Sequence, residues 1–126
     1  MTRPERGPLV ERNEDGIPRL RGTGLSPSDL QAYEDAGYTA TNLRHRWSSL
    51  ADWPVADIET AMTYPRVAME IKTTNYTVTV DGIGSIVIDG WFDPSSIPAV
   101  IAALQQAQEI VAAWTVACSE WEAMNP

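Results

Sequence analysis

The sequence predicts an α+β chain: an N-terminal three-helix module, then a two- or three-stranded antiparallel β-meander and a long C-terminal amphipathic helix. Three observations carry this. Cap and stop residues punctuate positions 26–65, the apolar period changes from helical to two at Val67, and apolar residues recur every seven positions from Ile97.

Residues 1–15 hold Pro4, Pro8 and Arg3, Arg6 and Arg12 with little apolar content, which reads as a flexible, arginine-bearing arm. Ile17 to Leu25 is a short extended piece, with Gly22 and Gly24 marking a turn. Ser26, Pro27 and Asp29 then match an N-cap, a first-position proline and a capping box, and Leu25 and Leu30 stand at staple spacing. Leu30, Tyr33 and Ala36 share a face, and Gly37 stops this helix. Tyr38, Thr39 and Leu43 repeat the pattern for a short helix over 40–47, where Leu43 and Trp47 are i and i+4. A third helix is expected from Pro54 to about Tyr64, with Val55, Ile58 and Met62 as its stripe and Pro65 as its end.

Val67, Met69 and Ile71 alternate with polar or small residues, as do Tyr76, Val78 and Val80; Ile86, Val87 and Ile88 offer a third strand. Asp81-Gly82 and Asp89-Gly90 read as turns. The closing helix starts at Asp93-Pro94 or near Pro98. Ile97, Leu104, Val111 and Cys118 recur every seven residues, and Val100, Ala107, Trp114 and Trp121 recur beside them. A helix over 98–122 is about 37 Å long, whereas a five-residue strand is about 17 Å. An intrachain sheet therefore leaves Trp114 and Trp121 without a surface, and a homodimer interface is expected through Val100, Leu104, Ala107, Val111, Trp114, Cys118 and Trp121. The domain reading is an arm (1–15), a three-helix module (16–65) and a hairpin-helix module (66–126).

Charge divides the chain. The formal net charge is −8, and all eight arginines lie in residues 1–66 beside ten acids, for a net of −2. Residues 67–126 hold Lys72 against seven acids, for a net of −6. Any phosphate-binding face belongs to the first half. Its candidates are Arg19, Arg21, Arg44, His45, Arg46 and Arg66, with Arg44–Arg46 the densest basic cluster. The acidic half suits a basic or apolar partner.

One histidine and one cysteine exclude an intrachain disulfide and a cysteine-cluster or multi-histidine metal site. No Walker loop, dinucleotide fingerprint or zinc motif is present. The expectations are therefore no enzyme, no cofactor, no metal and no small-molecule substrate. The N-terminus lacks an apolar signal region and no stretch reaches bilayer-spanning length, so a cytoplasmic protein with no membrane partner is expected.

Arg21-Gly22-Thr23, Leu30 with Ala36-Gly37-Tyr38, Leu43 with Trp47, and Pro54-Val55 with Asp57-Ile58 and Ala61 together resemble a family of small bacterial helix-turn-helix proteins. Some members of that family are described as antitoxin components of VapBC-type modules. The resemblance covers residues 17–64. It implies a helix-turn-helix-like module in which the second and third helices form the motif and the third reads DNA, and hence an antitoxin-like or phage-type regulator of transcription, which the seam of the last helix would make dimeric. The hairpin and last helix resemble short open reading frames of actinobacteria and their phages. The other functional reading is an acidic, non-enzymatic protein-interaction adaptor in which the three helices only pack.

Overall fold

The computed structural model describes residues 7–126. It is α+β, with four α-helices and two small antiparallel sheets. The first sheet pairs β1 (Val10–Arg12) with β2 (Pro18–Leu20). Helices α1 (Pro27–Asp35), α2 (Ala40–Arg46) and α3 (Val55–Met62) follow, then a sheet of β3 (Met69–Lys72), β4 (Tyr76–Val80) and β5 (Ile86–Gly90), and last α4 (Ile97–Met124).

This order corrects the expected one, in which helices came first and a meander followed. Strands open the described chain, and the second sheet stands between α3 and α4. The missed pair was hidden because β1 is Val-Glu-Arg, only three residues, and β2 begins at a proline. Its turn is set by Asn13, whose side-chain Oδ1 accepts from the backbone N–H groups of Asp15 (2.9 Å) and Ile17 (3.0 Å), with Gly16 at φ +77. Residues 7–15 thus carry a strand and a turn; Arg3 and Arg6 of the expected arm lie outside the described residues.

The chain forms two compact units. One comprises the described residues up to Tyr64 together with Glu120–Pro126, and the other is Pro65–Ser119.

In the first unit the expected caps are present. Ser26 and Asp29 form the reciprocal capping box of α1, and Thr39 and Asn42 form another at α2. Leu9, Leu20, Leu30, Leu43, Leu50 and Ile58 are fully buried. Gln31, a buried polar residue of α1, donates to the carbonyls of Met62 and Tyr64, which satisfies acceptors at the last residue of α3 and two positions beyond it. Trp121 packs edge-on against Tyr64 (centroids 5.0 Å apart) and its indole N–H donates to Thr63 Oγ1 at 3.0 Å.

In the second unit α4 packs on the inner face of the sheet. Tyr76, Val78, Val100 and Ala103 form a buried cluster flanked by Met69, Ile71 and Leu104. Asp93 caps the 3-10 turn Pro94–Ser96, and α4 starts directly after it, which places Pro98 harmlessly in the first turn. Trp114 donates its indole N–H to the carbonyl of Pro65 at 2.8 Å. Its ring lies against Gly84 (φ +82), where an added Cβ would stand 2.6 Å from Cζ3. Asp81-Gly82 does turn the chain, in a loop where Asp81 Oδ1 accepts from Ile83 and Ser85 N–H. Asp89-Gly90 does not turn: it completes β5, and Gly90 (φ +106) is required because a Cβ would run into the Asn75 carbonyl.

Candidate interaction surface

Four of the described arginines of the first unit, Arg12, Arg21, Arg44 and Arg46, are engaged by their own chain. Arg12 pairs with Glu122 at 3.0 Å and also donates to the Gly16 carbonyl. Arg21 donates to the carbonyls of Gly7 (3.0 Å) and Pro8 (2.7 Å) and lies 5.4 Å from the centre of the Trp53 ring. Arg44 Nε donates to the Ala51 carbonyl at 3.2 Å. Arg46 sits among Tyr33, Tyr38 and Trp47, 5.5–5.8 Å from each ring centre, held by cation–π attraction. Arg19 is half-buried on β2 opposite Glu11, His45 is exposed on α2, and Arg66 is exposed on the segment after α3. Arg44, His45 and Arg46 share α2, whereas Arg19 and Arg21 belong to β2 and the turn after it. Helix α3 contributes no cation; its charged residues are Asp57, buried, and Glu59, exposed.

The residues expected at a dimer interface are largely enclosed within the chain. Val100, Ala107, Trp114, Cys118 and Trp121 are buried, and Leu104 and Val111 are half-buried. The two indole N–H groups find acceptors at Pro65 and Thr63. The length comparison that left these tryptophans without an intrachain surface counted only strands; the segment 63–65 and the Gly84 loop provide it.

The apolar surface left open lies elsewhere. Among the described residues, seven of the nine exposed large hydrophobic side chains fall in residues 86–101: Ile86, Val87, Ile88, Trp91, Phe92, Ile97 and Ile101. Sequence reading missed most of them because an Ile-Val-Ile run at strand period suggests a covered strand. Trp91 is 62% exposed, and Phe92 makes one edge-on ring contact, with Tyr76.

Backbone register explains why this stretch is open. The strand order is β3-β4-β5, so β5 is an edge. Asp81 N–H donates to the Ser85 carbonyl and Trp91 N–H to the Asn75 carbonyl, each at 3.0 Å. Bonded and non-bonded pairs alternate in an antiparallel ladder. Val87 and Asp89 therefore bond to Thr79 and Thr77, while Ile86, Ile88 and Gly90 turn their N–H and C=O groups to the open side. Directly opposed residues share a face, so Ile86 continues the row Met69–Val80 and Ile88 the row Ile71–Val78. The inner-face rows are covered at β3 and β4 and uncovered at β5.

The unit that holds this edge carries more acids than bases. In Pro65–Ser119 the acids are Glu70, Asp81, Asp89, Asp93 and Glu109, against Arg66 and Lys72. Asp89 lies on β5 itself, and Asp93 follows it closely. The Asp93 carboxyl is held below its ordinary pKa by hydrogen bonds from the Ser95 and Ser96 hydroxyls, with smaller help from backbone N–H groups.

No group of three or more metal-ligating side chains forms among the described residues, and none of their helices is long and apolar enough to cross a membrane. No family model, no curated protein and no solved structure matches the chain.

Proposed function

We propose that the protein is a non-enzymatic, cytoplasmic protein-interaction module that docks a partner on the β5 edge and the apolar residues following it. One observation carries this reading: among the described residues, exposed large hydrophobics concentrate in the segment 86–101 instead of being spread along the chain. Single exposed apolar residues are ordinary, but a contiguous run with an open strand edge is a feature that soluble proteins usually suppress. The test is selection of displayed peptides on the intact chain, counter-selected on a chain carrying Ile88→Lys and Trp91→Ser. Enrichment of sequences that bind only the unaltered chain is expected. Absence of any such sequence overturns the reading.

A second reading, DNA contact by an antitoxin-like regulator, is favoured by α2. Arg44, His45 and Arg46 are all exposed there, and the four-residue connection from α1 turns at Gly37 (φ +99). Phosphate contacts make such binding steeply salt-dependent. A low-salt gel shift with mixed genomic fragments tests it, and binding that ignores Arg44→Ala and Arg46→Ala would remove it.

A further inference from the structure

We infer that the partner is an extended segment of a basic protein, alternating apolar and cationic residues, that adds to the second sheet as a fourth strand beside β5. The inference rests on the adaptor reading and specifies its occupant. Three observations carry it.

First, the open side of β5 presents a regular set of unfilled backbone groups. Ile86, Ile88 and Gly90 each direct one N–H and one C=O outward, and all five β5 residues are exposed. Such a row pairs with another strand by main-chain hydrogen bonds. The strand carries no proline, no lysine and no bulge to refuse one.

Second, the side chains beside that row sort by face. Ile86 and Ile88 project on the face that α4 packs against, and Val87 and Asp89 on the other. An added strand places alternate residues on the same two faces. Apolar residues are called for next to Ile86 and Ile88, and a cation next to Asp89.

Third, charge distinguishes a foreign basic segment from a second copy. Self-pairing would join two chains that each carry a net charge of −8, with Asp89 on the pairing strand of both. A lysine- or arginine-bearing strand meets complementary potential instead.

The probe is a blocked decapeptide alternating lysine and valine, with an alternating glutamate–valine peptide as control, titrated into the full chain at low salt. The lysine peptide is expected to bind at least tenfold more tightly. In the complex, amide exchange of Ile86, Ile88 and Gly90 slows while that of Val87 and Asp89, already bonded to β4, changes little. Ile88→Pro removes an outward N–H without removing a β4 bond, and costs at least tenfold in affinity. Asp89→Lys, at an exposed position, weakens binding about fivefold and serves if the proline variant fails to fold.

Equal binding of both peptides, or no slowing at Ile86, Ile88 and Gly90, overturns the inference. Peptide-free self-association that protects those same amides in sedimentation and exchange measurements also overturns it, in favour of a second copy. If displayed-peptide selection yields ligands that need Ile88 and Trp91 but are acidic or helical, strand addition falls while the adaptor reading stands. If it yields none, both fall.

Discussion

The two edges of the second sheet have the same backbone opportunity and opposite side chains. On β3 the residues whose N–H and C=O groups turn outward are Glu70 and Lys72, both charged and exposed. On β5 they are Ile86, Ile88 and Gly90. Along one inner row, Ile71 is partly buried against the α4 cluster, Val78 is fully buried, and Ile88 is 40% exposed. The sheet is therefore lined by charge at one margin and by exposed apolar residues at the other. Helix α4 covers the β3–β4 side through Val100, Ala103 and Leu104, and burial alone does not account for the apolar character of β5.

The comparison breaks most severely at Gly90. Gly90→Ala forces a Cβ into the Asn75 carbonyl at φ +106, and about 2–4 kcal/mol of stability should be lost in urea unfolding. The paired substitutions Ile71→Ala and Ile88→Ala sharpen it. The first should cost about 2 kcal/mol, because it opens space in a packed row, and the second about 1 kcal/mol or less, because much of Ile88 is already in water. Equal costs would mean that the two edges are equivalent. Exchanging the protection is a smaller test of stability but a direct one of adhesion. Ile88→Lys should lower light scattering at high protein concentration, and Glu70→Val with Lys72→Val should raise it, each within about 0.5 kcal/mol of the original stability.

The smallest effect is a pH dependence at the end of β5. Asp93 has its folded pKa lowered, so its contribution is complete above the unfolded pKa and is lost as pH falls through the lower folded value. Thermal melts should be level near neutrality and fall off below about pH 4. Asp93→Asn should flatten that acid limb slightly. An unchanged limb would show that the carboxylate contributes nothing to the cap.

Local chemistry was legible wherever a residue acts on its immediate neighbours. Ser26 with Pro27 and Asp29, Thr39 at α2, Gly37 between them, and the period-two run from Met69 to Val80 all describe contacts within a few positions, and the helices and strands follow them. The β1–β2 pair was not legible, because three-residue strands leave too few side chains to show a period. Trp114 and Trp121 read as reaching beyond the chain, yet their indoles meet Pro65 and Thr63, partners 49 and 58 residues away. The arginines read as available cations, yet their engagement with carbonyls and rings depends on loops that no spacing reveals.

The amino-acid order alone therefore determined the caps and stops of α1 and α2, the strand segments of the second sheet and the concentration of negative charge in the last sixty residues. Only tertiary structure decided which apolar residues are covered. Ile71 and Ile88 have the same side chain and the same strand period. Their exposures differ because a single helix, packed over Val78, has a finite width, and the outermost strand on its far side remains in water.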